Sequence, residues 1–323
     1  MKRNRIGHTD VSVTALSLGG ASLGNLGRAI SDADAFAVMQ CAWDAGIRYF
    51  DTAPHYGRGL SEQRMAAFLR HQPRDQYALS TKVGRVLSPG SALAEADGFI
   101  DPLPNAVHYD YSAQGIRDSF AHSCERLGTD FIDIIYVHDI GDLTHGAIDG
   151  ARHLDDLLGS GIGALHDLKQ DGRIGAIGLG VNECQVCLDV MQHTPLDTIL
   201  LAGRLTLLDR SAEAELLDVC KEQGTSLVLG GIFNSGILAT GPQPGAWFDY
   251  APAPQAILDR VSDLQSQAAA VGLTLPEAAI QFALHQPQTS SVLLGTGKVS
   301  SLQRNLEAAA LRLTDAARAF VTT

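Results

Sequence analysis

The 323-residue chain is 45% hydrophobic and 19% charged, and its mean hydropathy is near zero. This composition predicts a globular protein with a sizeable core, and we expect a single domain over residues 1–323. The formal net charge of −12 argues against nucleic acid or an anionic membrane as a partner, because like charges repel. No apolar run reaches the roughly 18 residues of a membrane span, and no signal peptide is evident, which predicts a cytoplasmic protein.

Short β-branched runs alternate with amphipathic stretches along the chain. The predicted strands are residues 15–19, 48–52, 77–83, 132–138, 174–181, 198–202, 226–232 and 291–295. Predicted helices include residues 32–46, 61–71, 115–128 and 161–172, several of which end at a glycine, as helices commonly do. The alternation indicates a parallel sheet, and eight such units favour a closed α/β barrel, the (β/α)8 TIM barrel, over an open sheet.

Four segments do not fit the repeating unit. Residues 3–14 are predicted to form a β-hairpin, with its turn near residues 7–10, that caps the floor of the barrel. Long loops are predicted at residues 84–111, 139–156 and 233–252, after the third, fourth and seventh strands. Active sites of such barrels lie at the carboxyl ends of the strands, so we expect these loops to border the site.

The five cysteines are an odd number and are scattered through the chain, which is typical of reduced thiols. Cys184 and Cys187 form one C-x-x-C motif. We interpret residues 182–194 as a helix with both sulfurs on its inner face. No second C-x-x-C or histidine pair completes a zinc site, so the motif is not expected to bind metal.

Polar side chains occur near the ends of three consecutive predicted strands. Asp51 ends the second strand, Lys82 lies in the apolar run of the third, and His138 ends the fourth. A buried lysine or histidine is costly unless it is paired. Each residue alone has an ordinary explanation as a paired core residue. Together, and with Tyr56 in the loop after the second strand, they indicate an active site.

These four groups suit proton transfer. A free phenol has a pKa of ~10, and an adjacent ammonium such as that of Lys82 lowers it. Asp51 would keep the lysine charged, and His138 would hydrogen-bond the substrate oxygen. Tyr56 would then exchange a proton with a carbonyl or an alcohol. Proton transfer at an oxygen usually accompanies hydride transfer at its carbon, which requires a nicotinamide or a flavin.

Three segments, FDTAPHYGRGLSE (50–62), STKVG (80–84) and YVHD (136–139), resemble the signatures of the aldo-keto reductase superfamily. The resemblance covers nearly the whole chain and implies NAD or NADP as the cofactor. It also implies that Asp51, Tyr56, Lys82 and His138 are the catalytic residues. The segments GLGVNE, LLAGRLTLLD and GGIFNSGILATG are similar to those of the aldose 1-dehydrogenase branch, which includes L-fucose, L-galactose and pyridoxal dehydrogenases.

The resemblance further implies a set of cofactor contacts. Asn182 is expected to hold the nicotinamide carboxamide, and the glycines after the seventh strand are expected to bring main-chain N–H groups close to the pyrophosphate. The predicted cofactor residues are Gly20, Asp51, Asn182, Gly231, Phe233, Asn234, Ser235, Gly236, Leu238, Gly295, Thr296, Gly297, Ser301 and Asn305. Ser301 stands where NADP-preferring members carry an arginine, which favours NAD, and neither Lys298 nor Arg304 falls in register with that arginine.

The branch implies oxidation of an aldose of the L-fucose, L-galactose or D-arabinose type at C1, giving a lactone, with Tyr56 as the base. The predicted substrate contacts are Tyr56, His138, His55, Asp139 and Trp247. The expected partner is a small sugar or aldehyde, and the protein is expected to be a monomer or a weak homo-oligomer. The alternatives are an NADPH-dependent reductase of small aldehydes or ketones, a pyridoxal 4-dehydrogenase, and a nicotinamide-binding regulatory subunit. A Schiff-base aldolase using Lys82 would leave Tyr56 unexplained.

Overall fold

The computed structural model describes residues 1–322, which are built around a closed barrel of parallel strands. The strands are β1 (Arg3–Arg5), β2 (Ser12–Thr14), β3 (Leu16–Gly19), β4 (Tyr49–Asp51), β5 (Ala78–Val83), β6 (Arg85–Pro89), β7 (Glu95–Ala96), β8 (Phe99–Ile100), β9 (Asn105–Tyr109), β10 (Ile132–His138), β11 (Ile174–Val181), β12 (Thr198–Ala202), β13 (Ser226–Gly230), β14 (Trp247–Phe248), β15 (Ala251–Pro252) and β16 (Thr289–Gly295). The helices are α1 (Asp32–Asp44), α2 (Leu60–Leu69), α3 (Ala113–Leu127), α4 (Asp142–Asp156), α5 (Ile162–Gln170), α6 (Gln185–Met191), α7 (Leu216–Gln223), α8 (Ile237–Thr240), α9 (Gln255–Ala270), α10 (Leu275–His285), α11 (Val299–Ala309) and α12 (Asp315–Thr322).

Within residues 1–322, eight parallel strands close the barrel in the order β3–β4–β5–β10–β11–β12–β13–β16, and β16 pairs back with β3. These are the eight strands that the sequence predicts, and their observed ends differ from the predicted ends by two residues at most. The predicted (β/α)8 barrel is therefore confirmed.

The barrel strands are buried on both faces. On β10, Ile134 and Tyr136 point into the barrel, whereas Ile135 and Val137 pack against the surrounding helices. Successive side chains of a strand point to opposite sides, so a strand covered on both sides is apolar at nearly every position. A polar side chain within such a strand is therefore conspicuous in the sequence.

The N-terminal hairpin forms as predicted. β1 pairs antiparallel with β2, with Arg3 opposite Thr14. Ile6 and Val13 of this hairpin are fully buried and pack against the side chains that fill the barrel interior. The hairpin therefore closes the end of the barrel opposite the carboxyl ends of the strands.

The segments predicted as loops contain regular structure. Residues 84–111 include the antiparallel pair β6–β9 and the short pair β7–β8, and residues 233–252 include α8 and the pair β14–β15. The expectation of a loop at 139–156 is wrong, because α4 occupies most of it. Gly146 and Gly150 lower the helix propensity of this segment, so the sequence did not predict the helix. Gly146 has a φ of 71° and interrupts α4, and a Cβ on Gly150 would clash with Oδ1 of Asp142.

The C-x-x-C motif is only partly as expected. Cys187 is buried within α6, but α6 begins at Gln185, so Cys184 precedes it and is half-buried. Within residues 1–322, no group of three or more His, Cys, Asp or Glu side chains is arranged to hold a metal ion. No helix in that range is both long enough and apolar enough to cross a membrane.

Candidate active site

Asp51, Lys82 and His138 meet at the carboxyl ends of the neighbouring strands β4, β5 and β10. All three are buried, with 0%, 1% and 4% of their surface exposed. The long side chain of Lys82 needs space inside the barrel, and the next strand provides it. A Cβ on Gly180 of β11 would lie 3.2 Å from Cε of Lys82, so a glycine at this position leaves that space open.

Lys82 is held by two acceptors. Its Nζ donates to Oδ2 of Asp51 at 2.8 Å and to the carbonyl oxygen of Thr52 at 2.9 Å. Burial lowers the pKa of Lys82, but the Asp51 carboxylate and the Tyr56 phenol together raise it above its ordinary value. The ammonium therefore stays charged and is directed toward the end of the barrel.

A second layer of side chains supports Asp51 from inside the barrel. Ser80 Oγ donates to Oδ1 of Asp51 at 2.7 Å, and Tyr49 Oη lies 3.1 Å from Ser80 Oγ and 3.0 Å from Tyr136 Oη. Sequence reasoning missed this layer. The sequence does contain a signal for it. Tyr49, Ser80 and Tyr136 stand two positions before Asp51, Lys82 and His138, and residues two apart on a strand point to the same side.

Tyr56 lies in the loop that follows β4. The Nζ of Lys82 is 4.6 Å from the centroid of its ring, and the ring of His138 is 5.8 Å away at an angle of 87°. Gly24 packs against the main chain of Tyr56, since a Cβ there would lie 2.6 Å from the Tyr56 carbonyl carbon. Lys82, Asp51, His138 and Tyr56 therefore come together as the sequence suggests.

Burial decides the protonation of Tyr56. It raises the pKa of Tyr56 to about 12, although the positive charge of Lys82 acts in the opposite direction. The sequence shows the lysine but not the burial, so it predicted a phenol of lowered pKa, and this expectation is wrong. In the structure the phenol is protonated at neutral pH.

His138 is uncharged in this environment. Burial lowers its pKa well below the ordinary value of 6.5, and the cations of Arg85 and Lys82 lower it further. Its backbone oxygen accepts a hydrogen bond from Oη of Tyr111 at 2.8 Å. His55 lies close by, with its ring centroid 5.9 Å from that of His138, and burial lowers its pKa to about 3.

Asp139 and Arg85 lie beside His138. Nη2 of Arg85 is 2.8 Å from Oδ2 of Asp139, and Nε2 of His138 is 3.4 Å from the same oxygen. Sequence reasoning proposed Asp139 as a substrate contact but missed Arg85, which opens the strand after β5. An arginine that begins a strand gives no sequence signal of its partner.

Asn182 lies just beyond β11, the strand that pairs with β10 in the barrel. Its side-chain Oδ1 is buried and has no hydrogen-bond partner among residues 1–322. Its main-chain oxygen accepts a hydrogen bond from Nε of Arg204 at 2.7 Å. An orphaned amide oxygen at this point fits the primary carboxamide of a nicotinamide, which offers N–H donors.

The turn after β13 has an unusual backbone. Gly231, Asn234, Ser235 and Gly236 all have positive φ, at 59°, 44°, 57° and 98°. Successive main-chain N–H groups in such conformations form concave sites for anions, which fits a pyrophosphate. The N–H groups of Asn234, Gly236 and Leu238 already donate to carbonyl oxygens of the same turn, so a pyrophosphate would be held by other N–H groups of the turn.

Side chains of this turn anchor it to the barrel. Asn234 Oδ1 accepts from Thr206 Oγ1 at 2.6 Å, and its Nδ2 donates to the Gly203 oxygen at 3.1 Å. Leu238 is fully buried in the core, and Phe233 packs against the core.

The remaining predicted cofactor residues lie around the ends of β3 and β16. Gly295 ends β16, Thr296 and Gly297 follow it, and Ser301 and Asn305 lie on α11. Ser301 Oγ accepts a hydrogen bond from Nη2 of Arg304 at 3.2 Å, so Arg304 extends to the position that sequence alignment left without a cation.

Two further predicted residues are Gly20, expected to contact the cofactor, and Trp247, expected to contact the substrate. A Cβ on Gly20 would lie 2.5 Å from Oγ of Ser61, so packing against α2 already requires a glycine there. Trp247 is 51% exposed in the short β14–β15 pair. Tyr250 of the same segment is 67% exposed.

The aldo/keto reductase family model matches residues 15–321. The chain is 41% identical to a D-threo-aldose 1-dehydrogenase from a Pseudomonas species, over 94% of this chain and 91% of that protein. It is also 41% identical to a pyridoxal 4-dehydrogenase from Microbacterium luteolum, over 94% of this chain and 92% of that protein. Among solved structures, the holo form of aldo-keto reductase AKR11C1 from Bacillus halodurans superposes with a TM-score of 0.79 at 26% identity, covering 99% of this chain and 95% of that one.

The chain belongs to the aldo/keto reductase family of oxidoreductases. The predicted resemblance to this family and to its aldose-dehydrogenase relatives is confirmed. Aldo-keto reductases use NAD(P)H, and the orphaned Asn182 oxygen and the positive-φ turn after β13 fit such a dinucleotide.

Proposed function

We propose that the protein is an NAD-dependent dehydrogenase that oxidises an aldose at C1 to the corresponding lactone. The observation that carries the proposal is the grouping of the buried Asp51, Lys82 and His138 with the half-buried Tyr56 at the barrel mouth. The identity of 41% to a D-threo-aldose 1-dehydrogenase supports the choice of substrate class.

Tyr56 is the general base in this reaction. Its Oη takes the proton of the anomeric hydroxyl as the C1–H bond breaks, and the C1–O bond becomes a carbonyl. The bound nicotinamide supplies the hydride acceptor. Lys82 stabilises the phenolate form of Tyr56, and Asp51 with Ser80 fixes the lysine in place.

His138 orients the substrate oxygen. Because it is neutral, it offers one N–H and one acceptor nitrogen, and it leaves the acid–base role to Tyr56. With the pKa of Tyr56 at about 12, the base form is scarce at neutral pH, so oxidation should be faster in alkaline solution.

NAD is the proposed cofactor. Ser301 offers no positive charge for a 2′-phosphate, although Arg304 lies next to it. A serine hydroxyl can bind a ribose hydroxyl, whereas a phosphate is best held by a cation.

A panel of substrates tests the proposal. Absorbance at 340 nm is followed with NAD or NADP against L-fucose, L-galactose, D-arabinose and pyridoxal, and with NADH or NADPH against small aldehydes. We expect NAD-dependent oxidation of at least one of the three sugars at alkaline pH. Oxidation of none of them, beside rapid reduction of generic aldehydes, would contradict the proposal.

Pyridoxal 4-dehydrogenase activity is the second candidate. The identity to a pyridoxal 4-dehydrogenase is also 41%, so identity does not separate the two substrates. Tyr250, which is 67% exposed, offers an aromatic face on which a pyridine ring or a sugar ring can stack. The same panel separates the two candidates by the ratio of kcat/KM for pyridoxal to kcat/KM for the best sugar.

A further inference from the structure

The carboxylate of Asp139 lies where a substrate would meet the catalytic group. It follows His138 directly, at the end of β10, and its Oδ2 is 3.4 Å from Nε2 of that histidine. Its negative charge also raises the pKa of Tyr56. Its side chain is 23% exposed, so it remains accessible from the mouth of the barrel.

Arg85 holds this carboxylate in position. The side chain of Arg85 is 5% exposed, and its guanidinium lies 5.5 Å from the ring of Tyr109 and pairs with Oδ2 of Asp139 at 2.8 Å. Both Arg85 and His138 therefore contact Oδ2. The other oxygen, Oδ1 of Asp139, takes part in neither contact.

The backbone at Asp139 is also constrained. Its φ is 42°, in the left-handed region that most side chains avoid but that aspartate and asparagine tolerate best. The main-chain N–H of Asp139 donates to the oxygen of Gly180 at 2.9 Å, which fixes this conformation. A strained backbone beside a catalytic histidine is characteristic of a functional site.

We propose that Oδ1 of Asp139 accepts a hydrogen bond from the hydroxyl on the carbon next to the reacting carbon, which is C2 of an aldose. Arg85 acts as a positioning residue that keeps the carboxylate in place. This inference rests on the proposed aldose oxidation. The inference goes further because it names the C2 hydroxyl as the substrate group that Asp139 recognises. This contact would favour polyhydroxylated substrates over simple aldehydes.

The geometry of a sugar supports this assignment. When His138 holds the C1 oxygen, the neighbouring C2 oxygen lies about one hydrogen-bond length from that oxygen. The carboxylate of Asp139 lies beside the histidine, with its Oδ2 3.4 Å from Nε2 of His138. A carboxylate is an acceptor only, so it pairs with a hydroxyl donor and not with an aldehyde oxygen.

The test compares sugars with and without the C2 hydroxyl. The pairs are D-arabinose with 2-deoxy-D-ribose, and L-fucose with 2-deoxy-L-fucose, since each second member lacks only that group. Asp139→Gly removes the carboxylate and suits the positive φ, and Asp139→Asn keeps the shape without the charge. Asp101→Gly is the matched control, because Asp101 is exposed and also has a positive φ, at 47°.

We expect Asp139→Gly to lower kcat/KM for the hydroxylated sugars roughly 10- to 100-fold, the worth of one hydrogen bond to a charged acceptor. The 2-deoxy sugars should lose less than about threefold by the same reasoning, since they never make that bond. Arg85→Met should lower the ratio of kcat/KM for a hydroxylated sugar to kcat/KM for its 2-deoxy partner. Arg85→Lys should restore part of this ratio. Asp101→Gly should leave the ratio of kcat/KM between the two kinds of sugar at its wild-type value.

Two results would overturn the inference while leaving aldose oxidation intact. One is an equal loss for hydroxylated and 2-deoxy sugars in Asp139→Gly, which would assign Asp139 to His138 or to folding. The other is no loss for either kind of sugar. If the wild type oxidises no aldose of either kind, the proposed function itself fails, and the inference fails with it.

Discussion

The two halves of the barrel mouth are built differently. On the half formed by β3, β4, β5 and β10, buried charged side chains such as Asp51 and Lys82 hold one another in place. On the half formed by β11, β12, β13 and β16, the strand β13 leads into a turn in which Gly231, Asn234, Ser235 and Gly236 have positive φ. There, the side chain of Asn234 anchors a turn and does not extend into the site.

The difference corresponds to two tasks. Proton transfer requires a few side chains held rigidly in a low-dielectric setting, because charge stabilisation is strongest there. Binding a long dinucleotide requires main-chain groups that can approach phosphate closely. We therefore expect substitutions in the first half to affect the chemical step, and substitutions in the second half to affect the choice and affinity of the cofactor.

The largest effect should come from Tyr56→Phe. Loss of the general base should lower kcat by at least ~10²-fold while the affinity for NAD stays within about threefold, because the phenol lies on the chemical half. Turnover is measured at 340 nm, and affinity by cofactor titration. Turnover close to that of the wild type would exclude Tyr56 as the base.

Lys82→Met should affect both activity and stability. Removing the ammonium leaves the buried Asp51 without its partner, which typically costs ~3–5 kcal/mol of stability. The double variant Lys82→Met/Asp51→Leu should recover most of this stability but none of the activity, since apolar pairs often replace buried ion pairs well. Urea unfolding measures the first effect, and initial rates measure the second. Equal stability of the single and double variants would mean that the pair is not coupled as the geometry indicates.

The sequence predicted the chemical half well for a physical reason. Lys82 and His138 stand in strands that are apolar at nearly every other position, and a buried charge there is too costly to occur without a partner. The eight strands were equally clear, because residues buried on both faces produce continuous apolar runs. The supporting layer was missed because Tyr49 and Tyr136 suit a strand as ordinary aromatic residues.

The other half was harder to predict. The site there depends on backbone conformation at positions such as Ser235, and positive φ at a serine has no sequence signature. The contact of Arg304 with Ser301 depends on the orientation of a long exposed side chain, which alignment does not reveal. The same applies to Arg85 and Asp139, which are 54 residues apart and meet only in the folded chain.

The pH dependence should be a property of the chemical half alone. Oxidation needs the phenolate of Tyr56, and the pKa of that group is raised to about 12, so the active fraction grows as pH rises. We expect kcat/KM for oxidation to rise from pH 6 to 9, approaching ~tenfold per unit. His138 does not flatten this rise, because its pKa is lowered and it stays neutral throughout. A profile that is flat above pH 7 would show that a different group takes the proton.

The smallest effect, and the sharpest test of the cofactor half, is expected for Ser301→Arg. A guanidinium at this position supplies a charged donor for a 2′-phosphate, so we expect the NADP:NAD ratio of kcat/KM to rise about tenfold. Arg304→Gln should lower the same ratio, because Arg304 already extends to Ser301 in the wild type. Both variants should keep the wild-type pH profile, since neither residue lies near Tyr56. An unchanged cofactor ratio in Ser301→Arg would place the 2′-phosphate elsewhere, whereas a changed pH profile would show that the two halves of the mouth are coupled.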